Sequence, residues 1–258
     1  MDHYEPAPFN ILDEYTNGYG VRTLFSGNLD ISKNALFYTL GGELYKDEYN
    51  WQTFENLYQE NEGNGSLQGD QESKNKEFRN QINIFATASY SITPKLTTQL
   101  GLNINKTQYD FRDLFNTGEL NTSANRNFKA LLLPSIDVNY AFTPTYQLYG
   151  NISRGFSNPS LEETLTPDGI INPDIVQETG TNYELGIEHK SEDDRNRFEI
   201  AFYLMPINNL LVAKRVGDNQ YIGRNAGKTK HQGIDLDWSY RFNVSNKITI
   251  SPFISYTY

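Results

Sequence analysis

Between residues 182 and 204 the chain reads as two stretches of strict alternation joined by a polar run, SEDDRNR. Tyr183, Leu185 and Ile187 alternate with Glu184, Gly186 and Glu188, and Phe198, Ile200, Phe202 and Leu204 alternate with Glu199, Ala201 and Tyr203. A period of two is that of a β-strand, whose successive side chains point to opposite faces. Each arm therefore has one apolar face and one face of carboxylates and small residues. Such a hairpin needs an apolar phase on one side and water on the other.

The pattern recurs. Residues 19–30 place Tyr19, Val21, Phe25 and Leu29 on one face, and residues 35–46 return with Tyr38, Leu40 and Leu44 together. Ile82 to Ile92 and Leu96 to Ile104 flank the turn Thr93-Pro94-Lys95. Ile136 to Phe142 and Tyr146 to Ile152 flank Thr143-Pro144-Thr145. Ile234 to Phe242 and residues 248–258 flank a turn at 243–246. Residues 1–18, 47–80, 113–128, 155–180 and 213–228 read as loops, with the aromatics of YNWQTFENLY extending a strand above the membrane.

Connections thus alternate between short and long, as periplasmic turns and extracellular loops do in membrane barrels. The expected fold is all-β, an antiparallel transmembrane β-barrel segment of about ten up-and-down strands. A Lys or Arg at a lipid-facing midplane costs about 2–4 kcal/mol. The apolar faces hold no charge, whereas Asp137, Glu184, Glu188, Glu199, Asp235, Asp237 and Arg241 share the other face. Tyr90, Tyr140, Phe142, Tyr146, Phe198, Tyr240 and Phe242 have lipid-facing parity close to short turns, where aromatic girdles sit. Pro134, Pro206 and Pro252 read as bulges or strand ends, and Gly41-Gly42 leaves the register of its strand open.

The net charge of -10 excludes a nucleic-acid partner, which demands clustered Lys and Arg. No stretch approaches the roughly 18 apolar residues of a membrane helix, and no basic, then apolar, signal peptide opens the chain. A mean hydropathy of -0.63 is compatible with a barrel, since only alternate residues meet lipid.

No catalytic, cofactor or metal motif is present: His3, His189 and His231 are scattered and read as solvated or lumenal, and the acidic run at 47–70 lacks the EF-hand order. Asp235 and Asp237 look like a paired acid, but in a wet barrel they read as structural partners of Arg241 or a Lys. Arg215, Arg224 and Lys228, with His231 on lumenal parity nearby, form a candidate site for an anionic ligand or a set of ordinary solvated charges. Arg154, at the outer rim on lipid-facing parity, either reaches lipopolysaccharide phosphates or snorkels into water.

From Tyr146 to Phe242 the sequence resembles the barrel of TonB-dependent outer-membrane receptors. The carrying segments are YQLYGNISRGFSNPSLEE, NPDIVQETGTNYELGIEHK, FEIAFYLMPINNLLV and NAGKTKHQGIDLDWSYRF. Within them Phe156 and Pro159, Asn172-Pro173-Asp174, Glu184-Leu185-Gly186, Asn225-Ala226-Gly227 and Gly233-Ile234-Asp235 match the family's order of architectural motifs. The resemblance implies a ligand-gated transporter of the bacterial outer membrane, not an enzyme, importing a ferric siderophore or similar scarce nutrient. It implies outer-membrane lipid, lipopolysaccharide and a small-molecule metal chelate as partners. It also implies energy from the TonB complex through a plug domain, and neither that plug nor its coupling segment is visible in residues 1–258. Transporters of this kind have about 22 strands around a plugged lumen, so the chain is expected to be part of a wall. The alternative is a self-contained ten-stranded barrel acting as an adhesin or surface hydrolase; a soluble β domain would scatter charge over both faces.

Overall fold

A computed structural model describes residues 10–31, 34–61, 64–164, 172–217 and 220–258. Its main sheet runs β1 (Ile11–Ile31), β2 (Asn34–Asn56), β3 (Gln68–Thr93), β4 (Leu96–Asp113), β6 (Leu131–Ala141), β7 (Tyr146–Ser157), β8 (Glu178–Lys190), β9 (Asn196–Asn208), β12 (Lys228–Tyr240) and β15 (Phe253–Thr257). Every pairing along this path is antiparallel, and the short β5 (Ala124–Asn127) adds to β4. The ten expected strands are all present, in up-and-down order. Among the described residues β1 and β15 each have one neighbour, so the ten strands do not close on themselves as the self-contained alternative requires.

The two faces separate as the alternation predicts. Val21, Leu44 and Ile82 lie in one cross-strand row, and Ile187, Ile200 and Leu236 in another. Exposed apolar side chains such as Leu40, Ile84, Leu100, Leu185 and Phe202 cover this outward surface. At the short-turn end Phe142 stacks on Tyr146 with centroids 5.8 Å apart, and Tyr240 lies 6.1 Å from Phe242, forming part of an aromatic girdle.

Opposite faces of the glycines explain the lumenal surface. Gly41, Gly186 and Gly233 stand directly across from Phe85, Tyr149 and Tyr203. A Cβ on any of them would overlap the facing ring, so each glycine is the seat of an aromatic on the next strand. The register around Gly41-Gly42 is regular: β1–β2 runs without a break from Ile31↔Asn34 to Ile11↔Phe54.

Several loop expectations are corrected. Residues 11–18 belong to β1, whereas Pro6 and Pro8 lie outside the described residues. Most of the 47–80 loop is strand, since β2 continues to Asn56 and β3 begins at Gln68. Above the lipid the outward face meets water and carries Lys46, Glu48 and Lys76, so the apolar signal moves to the lumenal Tyr49 and Trp51 and the pattern inverts. The 213–228 loop contains a hairpin, β10 (Leu211–Gly217) and β11 (Gln220–Asn225), and the 243–246 turn is wrapped by β13 (Phe242–Ser245) and β14 (Ile248–Ile250).

The prolines sit where ladders lapse: Pro134 lies one residue past the last β6–β7 pair, Ser135↔Ser153, Pro206 lies in the gap between Gly180↔Ile207 and Tyr183↔Leu204, and Pro252 precedes β15.

Two arginine substitutions separate the faces. In the full-length barrel refolded into vesicles, Leu100→Arg is expected to lower urea-measured stability by about 2–4 kcal/mol. Gln99→Arg, one residue away but lumenal and opposite Asp137, stays within about 0.5 kcal/mol of the parent.

Candidate functional site

Packing concentrates at the outer end of the lumenal wall. The buried apolar residues Tyr109, Phe111, Phe128 and Ile175 lie there, together with buried Asp47, Glu77, Asn105, Thr107 and Asp113. Strand register makes a row of four side chains: Asp47 faces Arg79, Arg79 faces Tyr109, and Tyr109 faces Arg126 on β5. Asp47 and Arg79 form an ion pair, and the Arg79 guanidinium lies 5.8 Å from the centre of the Tyr45 ring. Arg126 stacks over Phe128 at 5.0 Å and donates to the Ile175 carbonyl. The Nε atoms of Arg79 and Arg126 are buried without a partner among the described residues. Two guanidiniums thus flank one phenol on the wall, each with a donor to spare.

Above this row Tyr49 stacks on Trp51 at 4.9 Å, and Trp51 on Phe111 at 5.7 Å. Glu77 lies between Tyr49 and Phe111 in the register. Burial pushes its carboxyl up to about 7; Arg79 opposes the rise and Asp47 adds to it. Asp113 shows the opposite outcome. Burial alone would raise it, but donors from Asn116, Thr122 and Phe115 hold it below the ordinary carboxylate value and knit the 113–122 loop around it.

Residues 158–164 and 172–177 lie against the inner side of this wall and are fastened to it. Tyr109 Oη donates to the Pro159 carbonyl at 3.1 Å. A directional chain of side-chain hydrogen bonds starts in the loop. Gln177 donates to Asn158 at 2.8 Å, Asn158 to Thr107 at 3.1 Å, Thr107 to Asn105 at 3.1 Å, and Asn105 to Asn83 at 2.7 Å. Asn83 in turn donates to Glu43 at 3.3 Å, and Glu43 is paired with Arg22. Asn105 and Thr107 are fully buried, so each lost link would strand a polar group without water.

The loop's other side is held by Asn225. Its amide accepts from the Val176 N–H at 2.8 Å and donates to the Val176 carbonyl at 3.0 Å and the Asn209 carbonyl at 2.6 Å. Gly227, two residues on, has φ +106°, a conformation that a side chain would strain. Ser160 and Glu163 cap the one-turn helix α1 (Leu161–Thr164) reciprocally, at 2.8 and 3.3 Å. The Glu163 carbonyl lies so near Gly223 of β11 that a Cβ there would collide with it.

The described residues thus form a two-faced antiparallel wall, aromatic at its turn end and lined inside by the segments 158–164 and 172–177. The family described as "TonB dependent receptor-like, beta-barrel" matches residues 2–258. The chain belongs to the TonB-dependent receptor β-barrel family. Solved structures with the same fold include the siderophore receptor PiuA from Acinetobacter baumannii (15% identity, TM-score 0.71, covering 95% of this chain and 38% of that one). The unliganded ferric citrate transporter FecA is similar at 14% identity and TM-score 0.74, covering 96% of this chain and 36% of FecA. A third is the Pseudomonas aeruginosa ferripyoverdine receptor bound to ferripyoverdine (14%, TM-score 0.73, 95% and 33%). The chain spans between 33% and 38% of the length of these receptors.

In this TonB-dependent receptor barrel the motif residues acquire physical roles. Phe156 lies on β7 opposite Thr179, Pro159 accepts from Tyr109, and Asn172 accepts from the Asp174 N–H at 2.9 Å beside Pro173. Glu184 accepts from Asn182 at 3.2 Å, while Gly186 and Gly233 seat tyrosines. The basic residues of the 213–231 region are not brought together. Arg215 pairs with Tyr221, whereas Arg224 pairs with Val212, which puts the two on opposite faces of their hairpin. Lys228 has outward parity on β12, and His231 alone faces the lumen there. His189 has outward, not lumenal, parity and packs on Tyr146 at 4.2 Å; His3 lies outside the described residues. Asp237 accepts from Ser255 in place of the expected Arg241. Arg154 is exposed on the outward face of β7.

Sequence reading missed the Asp47, Arg79, Tyr109 and Arg126 row. Parity alone would have turned Arg79 and Tyr109 inward together, but nothing local announces Arg126.

Two outcomes follow. Asn225→Ala is expected to release residues 172–177, giving about ten-fold faster amide exchange at Val176, as loss of hydrogen bonds worth about 0.5–1.5 kcal/mol each dictates. Because the folded carboxyl of Glu77 titrates above its ordinary value of 4.5, the folded state keeps a proton that the unfolded chain has released. Protection of β3 around Glu77 should therefore fall as pH rises from about 4.5 to about 7 and stay level above that. Glu77→Gln flattens the profile, read by hydrogen exchange.

Proposed function

We propose that this chain is wall and outer loop of a TonB-dependent importer in the bacterial outer membrane, taking up a ferric siderophore or a similar metal chelate. The observation that carries this reading is the inward segment at 172–177, clasped between Arg126 on one side and Asn225 on the other, beside a lumenal row that holds two guanidiniums. A fastened segment positions an outer vestibule, and the guanidiniums of Arg79 and Arg126 bring positive charge beside it, which suits an anionic chelate. PiuA is a siderophore receptor, FecA a ferric citrate transporter and the third a receptor with bound ferripyoverdine, which supports the same ligand class. Outer loops capture the ligand, the wall isolates a polar lumen, and a plug elsewhere in the protein is pulled through TonB from the periplasm. His231, on lumenal parity near the outer end of β12, is retained as a ligand-facing residue, with Arg215, Arg224 and Lys228 supplying charge around the mouth.

Whole-cell uptake of a panel of labelled ferric chelates tests the proposal. Deleting the complete gene should abolish TonB-dependent uptake of at least one chelate, and unchanged uptake of all of them would count against an iron cargo. In the restored receptor Arg126→Ala is expected to weaken half-saturation by about ten-fold, the loss of one charge-assisted contact, with outer-membrane abundance unchanged.

A further inference from the structure

On the lumenal wall Asp47 pairs with Arg79, Glu43 pairs with Arg22, and Asp113 accepts from its own loop. Glu184 and Asp137 accept from Asn182 and Asn151. Glu77 differs from these carboxylates. It is only 9% exposed, and it makes no hydrogen bond or ion pair among the described residues.

Its surroundings are aromatic. Tyr49 on β2 and Phe111 on β4 stand on either side of it in the register, and Trp51 stacks on both rings, so the three make one aromatic surface beside the carboxyl. Tyr49 and Trp51 keep part of their surface exposed, which leaves the group within reach of a solute. The titratable groups around Glu77 are Asp47 and Tyr49 on β2, Arg79 on β3, and Tyr109 and Asp113 on β4. Arg79 is already matched by Asp47. The ionised carboxyl therefore lacks a cation of its own, and burial keeps a proton on it up to about 7.

A carboxyl beside an aromatic surface is the chemistry that recognises an organic ammonium. The ring faces attract the cation through their quadrupoles, and the carboxylate accepts its N–H and supplies the opposite charge. A hard metal cation would want several oxygen ligands where Glu77 brings one carboxyl. We propose that Glu77, with Tyr49, Trp51 and Phe111, is a subsite for a protonated amine carried by the imported chelate. The inference rests on the reading of the chain as a chelate importer and narrows the ligand to one that carries an ammonium as well as anionic groups. Arg126 lies two strands and one row from Glu77, about 12 Å across the wall, so the two charges of such a ligand meet opposite signs. Binding the amine favours the carboxylate, so the proton of Glu77 leaves to solvent. Affinity for the amine accordingly rises from acid pH to about 7 and is level above that.

The test uses the complete receptor in vesicles, with n-butylammonium chloride as the probe and sodium chloride at equal ionic strength as the control. Infrared difference spectra at about pH 6 follow the stretch of the protonated carboxyl, and saturation-transfer NMR on the butyl protons measures occupancy in every variant. Heat-modifiable migration establishes that each barrel is folded. Butylammonium, unlike sodium, is expected to remove a carboxyl band that Glu77→Gln lacks, with half-saturation weakening about ten-fold for each unit of pH below about 6. Trp51→Leu is expected to bind the probe about ten-fold more weakly. A parent band that butylammonium leaves unchanged, an equal change with sodium, or occupancy in Glu77→Gln equal to the parent overturns the subsite. Chelate uptake is measured on the same receptors. One that binds the probe through Glu77 but imports no chelate sinks the transport reading alone, and one that imports a chelate without Glu77-dependent probe binding sinks the subsite alone.

Discussion

Lipid offers no hydrogen bonds, so every backbone amide of a strand that crosses it must find its partner on a neighbouring strand. That constraint reaches most of what is seen here. It requires the continuous antiparallel ladders from β1 to β15, it puts proline only where a ladder lapses at Pro134 and Pro206, and it leaves the edges of β1 and β15 to be met by other strands. Once ladders are obligatory, side chains alternate between lipid and lumen, and the exclusion of charge from the outward face follows.

The lumenal face obeys a different economy of polar groups. Its carboxylates, amides and hydroxyls lie in cross-strand rows, and at the outer end they join into a chain running from Gln177 in the loop to Glu43 on β2, ending at Arg22. Every link from Gln177 to Glu43 donates in the same direction, and Glu43 then accepts from Arg22 as well, so the bonds reinforce one another and the buried Asn105 and Thr107 are satisfied. Through this chain the position of the inward loop is tied to the wall five strands away in sequence order.

Membership of the TonB-dependent receptor family and the architectural motifs agree at the level of mechanism of folding. Asn225 mimics a strand neighbour for Val176, Gly227 takes a backbone conformation that side chains resist, and the glycines of the Glu-Leu-Gly and Gly-Ile-Asp motifs are seats for Tyr149 and Tyr203. These residues hold the wall and its loop in shape.

Strand number, face polarity and the short turns were legible from sequence because each depends on near neighbours: alternation within one strand, and a turn between two. Where the outward face left the lipid, as at residues 47–56 and 68–80, the apolar period inverted and strands looked like loop. The separation of Arg215 from Arg224 also needed the hairpin register, which shifts near Gly217. The row of Asp47, Arg79, Tyr109 and Arg126 and the clasp of Asn225 on Val176 join residues tens of positions apart through pairings that no local pattern specifies. Alternation by itself determined that this chain builds a two-faced wall. Only the tertiary register decided which lumenal groups meet, because contacts between strands depend on how far each slides along the next, and that is set by the whole sheet.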